Sequence, residues 1–131
     1  MEKLSATTNA LNWFDIPVTD IQRAKKFYES IFEIEMKTLT LPGMEMVFFP
    51  SSDNMEGKVS GALVKAENRK PSMDGVVIYL NANPDIQVII DRIQVNGGQI
   101  MMPRTLINEQ AGYMAYFIDS EGNRIALHAS N

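Results

Sequence analysis

Apolar and polar residues alternate with a period of two near the start of the chain, and the period then becomes helical. From Trp13 to Val18 one set of alternate positions is apolar, Phe14, Ile16 and Val18, and the other set is Trp13, Asp15 and Pro17. This pattern predicts a strand. From Ile21 onward, apolar residues recur at the spacing of an amphipathic helix capped by Thr19 or Asp20, namely Ile21, Ala24, Phe27, Tyr28, Ile31 and Phe32. Because this helix covers the apolar face of the strand, the face with Trp13 and Asp15 is available to another surface.

The period of two returns in three further segments of the first half. It predicts strands at 35–41, 45–49 and 58–65. Gly61, in the middle of the last of these, indicates a bulge or a close approach by another group. The charged segment 67–75 contains Pro71 and is predicted to be a linker.

After the linker, the order of strand, helix and three strands begins again. We predict strands at 76–82, 99–102, 113–118 and 123–128, with a helix from Ile86 to about Val95. Two triplets recur at the same offset: Asp20-Ile21-Gln22 as Asp85-Ile86-Gln87, and Glu56-Gly57-Lys58 as Glu121-Gly122-Asn123. An internal repeat of this kind indicates two similar modules. The predicted division is a frayed N-terminus at 1–9, modules at 10–66 and 76–131, and the linker at 67–75.

Composition restricts the partners of the chain. Its 131 residues carry a net charge of −4, with no cluster of Lys and Arg, which argues against binding nucleic acid or an anionic membrane. No cysteine is present, so disulfides and thiolate chemistry are excluded. The first residues lack the apolar core of a signal peptide, and no run approaches the ~20 apolar residues of a membrane span. We therefore expect a cytoplasmic protein without a nucleic-acid or membrane partner.

Two phrases within this repeat carry a family resemblance, IPVTDIQRAKKFYESIF in the first module and DSEGNRIALH in the second. With them the chain resembles the vicinal oxygen chelate superfamily, the group of glyoxalase I, bleomycin-resistance proteins and extradiol dioxygenases. The phrases NWFDIPV, GALVK, KPS and VIYLN are similar to a glyoxalase-related subfamily whose members mostly lack an assigned reaction. The resemblance implies an α+β fold in which two tandem βαβββ modules form a curled mixed sheet, or half-barrel, with a concave cleft. It also implies a homodimer.

In metal-dependent members of this superfamily, the cleft holds one divalent ion, bound from the first and last strands of each module. Carried over by position, and by strand parity in the second module, the four ligand positions fall on Trp13, Gly61, Val77 and Ala126. None of these side chains can ligate a metal. A shift of one residue supplies no ligand set either, since it gives Asn12 or Phe14, Ser60 or Ala62, Val76 or Ile78, and Ile125 or Leu127. We therefore predict no cofactor and no divalent metal.

Without a metal, the polar and aromatic residues of the cleft face are the candidates for ligand binding. By strand parity they are Trp13, Asp15, Tyr79, Asn81, Arg124 and His128. Trp13 could stack on a flat ligand or could fill the core. Tyr79 and Asn81 could orient a small molecule or could cap the sheet.

Asp15 and His128 are the candidates for acid–base chemistry. His128 is the only histidine and could exchange a proton near neutral pH, although a local hydrogen bond is the commoner role for such a residue. Asp15 could contact a ligand or could form an ion pair with Arg124 or Lys65.

Three functions agree with these features. The first is metal-independent binding of a small organic molecule. The second is a lyase, isomerase or dioxygenase-type enzyme that uses Asp15 and His128, or metal ligands at other positions. The third is antibiotic sequestration, which the acidic charge favours for a cationic drug.

Overall fold

The computed structural model describes residues 2–52 and 58–131. The first module contains β1 (Trp13–Pro17), α1 (Ile21–Phe32), β2 (Lys37–Leu41), β3 (Met44–Phe48) and β4 (Ser60–Ala66). The second contains β5 (Tyr79–Asn81), α2 (Ile86–Ile93) with a 3₁₀ turn (Gln94–Asn96), β6 (Gln99–Asn108), β7 (Gly112–Ile118) and β8 (Arg124–Ala129). In the parts of the chain described, no helix is long and apolar enough to cross a membrane.

The strands form two mixed four-stranded sheets with the same topology. Their orders are β1-β4-β3-β2 and β5-β8-β7-β6, and the first strand of each module lies parallel to the last. The remaining neighbours are antiparallel. The predicted α+β fold of two tandem βαβββ modules is confirmed, although the strands form two separate sheets rather than a single curled one.

The two helices begin at equivalent residues. The carboxylate of Asp20 accepts a hydrogen bond from the backbone N–H of Arg23 at 3.0 Å, and Asp85 accepts one from Gln87 at 3.0 Å. Each side chain satisfies a donor that the first turn of a helix leaves free. The first pair of recurring triplets therefore marks the same position in both modules. In the second pair, Glu56 and Gly57 lie outside the described residues.

Both modules contribute to one hydrophobic core. The faces of α1 and α2 that point at the sheets are buried together with alternate residues of the strands beneath them. The largest fully buried side chains come from both halves: Tyr28, Phe27, Phe117, Ile16, Ile31, Leu63, Ile86, Ile93 and Leu127. The rings of Phe27 and Phe117 lie 6.1 Å apart and join α1 to β7. Burial of this shared surface is the main force that holds the modules together.

The turn between β7 and β8 holds the start of α1 in place. One oxygen of the Glu121 carboxylate accepts hydrogen bonds from the backbone N–H groups of Thr19 (2.9 Å) and Asp20 (2.7 Å). The other oxygen accepts one from Nε of Arg23 at 2.7 Å. The amide of Asn123 donates to the carbonyl of Pro17 at 2.7 Å. A polar turn of the second module thus completes the β1–α1 junction of the first.

The fifth strand is shorter than predicted, because β5 spans Tyr79–Asn81 instead of 76–82. The last hydrogen bond that pairs it with β8 runs from the Ala126 N–H to the Ile78 carbonyl. The next donor on β8 is the Arg124 N–H, and it bonds to the carbonyl of Ser72 instead of residue 76. Val76 is consequently outside the sheet and 90% exposed.

The sixth strand is longer than predicted and continues past Pro103 to Asn108. Its pairing with β7 has register shifts between Ile100 and Met102 and between Met102 and Thr105. Because β6 is the edge strand of its sheet, a proline without a backbone N–H is tolerated there.

Candidate functional site

Each sheet has one side covered by helices and one side turned away from them, which we call its open face. Trp13 and Asp15 lie on the open face of the first sheet, beside Ser60 and Ala62 of β4. Phe48 of β3 is paired with Ala62 and lies on the same face. On β2 the same face presents Leu39 and Leu41, each 44% exposed. The open face of the first sheet is therefore mainly apolar and aromatic.

The Trp13 indole is held in place on this face while its ring stays accessible. Its Nε1–H donates to Oδ1 of Asp15 at 3.0 Å. Its ring meets the ring of Phe48 edge to face, with centroids 5.9 Å apart. The side chain remains 39% exposed, which does not fit the alternative that Trp13 fills the core.

Asp15 forms its ion pair with Arg69, a residue of the linker, and not with Arg124 or Lys65 as the sequence suggested. Lys65 lies 3.9 Å from the carboxylate of Glu45 instead. Arg124 belongs to the other sheet, where its Nη2 donates to the carbonyl of Gly75 at 3.2 Å. Asp15 therefore joins a cation on one side to the indole of Trp13 on the other.

Gly61 lies on the helix side of its sheet, away from Trp13. A Cβ atom on this residue would lie 2.5 Å from Cδ1 and 2.6 Å from Cε1 of Phe14. The mid-strand glycine thus permits a close approach, as one of the two sequence interpretations expected, and the approaching residue is Phe14, whose carbonyl oxygen comes closer still than its ring. Ala62 is the β4 residue beside Asp15 on the open face. It is one of the two alternative metal-ligand positions that a shift of one residue from Gly61 gives.

On the open face of the second sheet, two tyrosines flank a small residue. Ala126 is paired with Tyr79 on one side and with Tyr116 on the other, and it is fully buried. The two hydroxyl oxygens are 2.9 Å apart and share a hydrogen bond. This bond, together with partial burial, raises the pKa of Tyr79 above its usual value. Tyr79 stays 47% exposed, so the pair presents both a phenol edge and a hydrogen-bonding group to solvent.

The two remaining polar candidates on this sheet make local contacts. Nε2 of His128 lies 2.6 Å from the carbonyl oxygen of Ala111, and because a carbonyl only accepts, Nε2 carries the proton. Oδ1 of Asn81 accepts hydrogen bonds from the backbone N–H and the side-chain amide of Asn83, at 2.9 and 2.8 Å. Each of these side chains therefore stabilises a neighbouring turn.

Arg124 is near the tyrosine pair. The hydrogen bond with Tyr116 is the main cause of the raised pKa of Tyr79, and the positive charge of Arg124 opposes it with a smaller effect. Its Nε is buried and has no hydrogen-bond partner within the described chain. A buried donor of this kind is unusual in a folded protein. Arg124 thus retains unused hydrogen-bonding capacity next to two phenols.

The donor set does not fit the divalent metal that the superfamily resemblance implies. Within residues 2–52 and 58–131, no group of three or more His, Cys, Asp and Glu side chains is placed to hold an ion. Ala126 has no donor atom in its side chain and lies between two tyrosines. Val77 precedes the first residue of β5.

The candidate residues form two separate groups. One contains Trp13, Asp15 and Arg69, and the other contains Tyr79, Tyr116 and Arg124. No hydrogen bond, ion pair or ring contact joins the two groups among the residues that the structure describes. Asp15 and His128 belong to different sheets and are not brought together as an acid–base pair.

Sequence reasoning missed Arg69 and Tyr116. Tyr116 could have been found, because the tight turn at 119–123 fixes the hairpin register and places residue 116 opposite residue 126. Arg69 had no comparable signal, since it lies in a charged segment without periodicity, and its contact with Asp15 depends on the path of the linker.

The fold described above, two βαβββ modules with open sheet faces, is that of a glyoxalase-type domain. Residues 10–127 match the family model described as Glyoxalase/Bleomycin resistance protein/Dioxygenase superfamily. The chain belongs to this family.

Two proteins are similar to this chain in sequence. "Putative glyoxylase CFP32" of Mycobacterium tuberculosis is 31% identical over 121 residues, which cover 92% of this chain and 45% of that protein. The chain thus spans about half the length of this relative. A "Glyoxylase-like domain-containing protein" of Didymella fabae is 28% identical over 89% of this chain and 91% of its own length.

Among solved structures, TnmS3, an antibiotic binding protein from Streptomyces sp. CB03234, has a TM-score of 0.67 and 20% identity. The match covers 97% of this chain and all of TnmS3. Glyoxalase I from Zea mays has a TM-score of 0.65 and 16% identity, with 90% of this chain and 45% of that one covered. At these identities the structural matches establish the fold.

Proposed function

We propose that this domain binds a small organic molecule on its open sheet faces without using a metal ion. The observation that carries the proposal is the state of Trp13, which is held by Asp15 and Phe48 and still exposes its ring. An immobilised aromatic side chain loses little conformational freedom on binding, so stacking of a flat ligand costs less entropy. The position is also the one that the superfamily resemblance assigns to a metal ligand.

The second sheet supports the same proposal with different chemistry. Tyr79 and Tyr116 offer phenol edges and hydroxyl groups, and Arg124 adds a positive charge. Ligand sites typically combine aromatic surface with a few placed polar groups, and both open faces have this composition. In this proposal Trp13 and Tyr79 contact the ligand, and Asp15 and Arg69 hold Trp13.

Binding can be tested with a panel of planar aromatic compounds. Trp13 is the only tryptophan, so a shift in its fluorescence identifies compounds that reach it. Calorimetry on Trp13→Ala should then show affinity reduced by about two- to tenfold, the effect expected for one aromatic contact. Val88→Ala is the matched control, because Val88 is an exposed apolar residue on α2. Equal affinity of Trp13→Ala and the unaltered protein would contradict a role for Trp13.

Metal independence has its own test. We expect Ni²⁺, Zn²⁺, Mn²⁺ and Fe²⁺ to leave the melting temperature unchanged within about 1 °C, since a metal ion that binds the folded state stabilises it by an amount that grows with the logarithm of the ion concentration over its dissociation constant. A large increase in melting temperature with one ion bound per domain would overturn this part of the proposal.

A second candidate function is antibiotic sequestration. Two observations favour it: the net charge of −4, which attracts a cationic drug, and the full-length match to TnmS3, described as an antibiotic binding protein. Overexpression in sensitive cells should raise the inhibitory concentration of the antibiotic if this function is correct. Unchanged sensitivity across bleomycin-type and other cationic antibiotics would exclude it.

The proposal also includes assembly and compartment. Leu39 and Leu41 on β2 expose apolar surface at the opposite edge of the sheet from Trp13, and a second copy of the chain would bury part of it, so we propose a homodimer. Sedimentation equilibrium should give twice the mass of one chain, and a single-chain mass at all concentrations would exclude the dimer. The lack of cysteine supports a cytoplasmic location.

A further inference from the structure

A depression of about 490 Å³ lies where the end of β4, the linker and the β1–α1 turn meet. Three cationic side chains line it: Lys65, Arg69 and Lys70. Its apolar lining comes from Val18, Ala66 and Pro71. Three cationic residues thus meet at one place in a chain whose net charge is −4.

The three cations are only partly neutralised by the protein. Lys70 forms no ion pair with any residue in the described ranges. Lys65 lies 3.9 Å from Glu45, and both side chains are about half exposed, so this pair is loose. Arg69 uses Nη1 for Asp15. The depression therefore has positive charge available for a ligand.

Glu121 also lines the depression, but its carboxylate is buried and its charge is already engaged. Glu121 accepts hydrogen bonds from Thr19, Asp20 and Arg23, and its side chain has no accessible surface. Ser120 donates a further hydrogen bond to it at 3.0 Å. Because Arg23 pairs with Glu121 directly, this carboxylate does not balance the three cations across the depression.

We propose that this depression is a second ligand site, separate from the open sheet faces, and that it binds a small organic anion. The anionic group, a carboxylate or a phosphate monoester, contacts Lys65, Arg69 and Lys70. A short apolar part of the ligand packs against Val18, Ala66 and Pro71. Charge-assisted hydrogen bonds to a planar guanidinium and two ammonium groups suit such an oxyanion.

Arg69 connects this site to Trp13. The same guanidinium lines the depression and pairs with Asp15, and Asp15 accepts the hydrogen bond of the Trp13 indole. An anion that binds the other nitrogens of Arg69 shares its positive charge and draws the guanidinium away from Asp15. Occupancy of the depression therefore changes the hydrogen bond of Trp13, although the ligand does not touch the indole.

The test uses three probes, inorganic phosphate, n-butyl phosphate and butyrate, titrated into ¹⁵N-labelled protein at constant ionic strength. We expect the amide signals of Thr19, Lys65 and Lys70 to shift with a saturable dependence, and the indole N–H signal of Trp13 to shift with them. Butyl phosphate should bind about fivefold more tightly than phosphate if its chain buries apolar surface. Comparison of butyl phosphate with butyrate identifies the preferred anionic group.

Two lysine variants separate a specific site from general screening. Lys70→Ala should weaken binding about fivefold. Lys26→Ala, which removes the same charge from an exposed position on α1, should leave binding unchanged. Linear, non-saturating shifts for all three probes, or equal weakening by both variants, would overturn the site. Saturable binding with an unchanged Trp13 indole signal would overturn the connection through Arg69.

Discussion

The hydroxyl of Tyr28 donates a hydrogen bond of 2.7 Å to the carboxylate of Asp119, and both side chains are buried. Tyr28 belongs to α1 and Asp119 to the turn after β7, so the bond crosses between the modules. Burial, and secondly the charge of Asp119, raise the pKa of Tyr28 well above its usual value, so the phenol remains a donor. The same carboxylate also accepts from the backbone N–H groups of Glu121 and Asn123, each at 2.9 Å.

Removal of this hydroxyl should weaken the fold. Tyr28→Phe should lower the free energy of unfolding by about 1–3 kcal/mol, because a buried carboxylate loses one of its donors. Urea denaturation followed by circular dichroism measures the change. Tyr113→Phe is the control, since the Tyr113 hydroxyl has no hydrogen-bond partner in the described chain, and it should be nearly neutral. A Tyr28→Phe variant as stable as the control would show that the bond contributes nothing.

The carboxylate of Glu121 should make stability depend on pH in the acidic range. Burial alone would raise its pKa, but the hydrogen bonds from Arg23, Asp20 and Thr19 outweigh burial and lower the pKa below the usual 4.5. A carboxyl group with a lower pKa in the folded state contributes its stability fully above pH 4.5, and that contribution is lost as pH falls below this value. We expect the free energy of unfolding to fall with decreasing pH in this window.

Glu121→Gln isolates this contribution. It should cost about 1–3 kcal/mol at pH 7 and progressively less as pH falls below 4.5, so the two stability curves should converge in acid. Glu109→Gln, an exposed position outside any ion pair found in the described chain, is the control for loss of one charge. Parallel curves for Glu121→Gln and the unaltered protein would contradict the assignment.

The periodic parts of the sequence predicted the order of the elements and their repetition, and the family resemblance implied how they assemble. The stripe of apolar residues that begins at Ile21 predicted the start and the buried face of α1 correctly, because one continuous helical face is buried in the core. The recurring Asp-Ile-Gln triplet predicted the second helix start, because an aspartate side chain caps the first turn of both helices, through Arg23 in one and Gln87 in the other. The strand predicted at 76–82 was too long, because the Arg124 N–H bonds to Ser72 instead of residue 76. The strand predicted at 99–102 was too short, because β6 is an edge strand and continues past Pro103.

The candidate site was predictable only where strand parity decides it. Parity placed Trp13, Asp15 and Tyr79 on the faces away from the helices. It could not identify Arg69 as the partner of Asp15, because that contact is made by a segment without periodic structure. The spacing carried over from the superfamily, and not parity, placed Gly61 with Trp13, whereas the pairing of β1 with β4 gives that face to Ser60 and Ala62.

The contact between Gly61 and Phe14 predicts a steric effect. Gly61→Ala should destabilise the protein by about 1–3 kcal/mol, since the new methyl group would meet the Phe14 carbonyl oxygen and would also lie within 2.6 Å of the Phe14 ring. Phe14→Ala in the same background should recover part of that loss relative to Phe14→Ala alone. Additive losses in this double-mutant cycle, measured by urea denaturation, would mean that the Phe14 ring does not contribute and that the methyl group meets only the Phe14 backbone.

The tyrosine pair predicts a change in ionisation. Tyr116→Phe should lower the pKa of Tyr79 toward 10, because the hydrogen bond with Tyr116 is the main cause of its raised value. Absorbance at 295 nm during an alkaline titration measures phenolate formation. Tyr113→Phe removes a different phenol as the control and should leave the Tyr79 transition in place. A Tyr79 transition unchanged in Tyr116→Phe would exclude the shared hydrogen bond.

Substitution of His128 distinguishes a binding protein from an acid–base enzyme. Its Nε2–H is occupied by the carbonyl of Ala111, so His128→Ala should lower the free energy of unfolding by about 0.5–1.5 kcal/mol and leave ligand affinity unchanged. Calorimetry with a ligand identified by Trp13 fluorescence makes the comparison. A catalysed reaction whose pH–rate profile disappears in His128→Ala would favour the acid–base enzyme instead.

The segment between the modules is not a passive connection. The Ser72 N–H donates to the side chain of Asn123 at 2.9 Å, its carbonyl accepts from Arg124, and Arg69 reaches back to Asp15. For protein engineering, the consequence is that this stretch is a poor site for inserting a tag, exchanging modules or opening a circular permutant. Such changes would keep both modules intact in sequence and still remove contacts that position the Trp13 face.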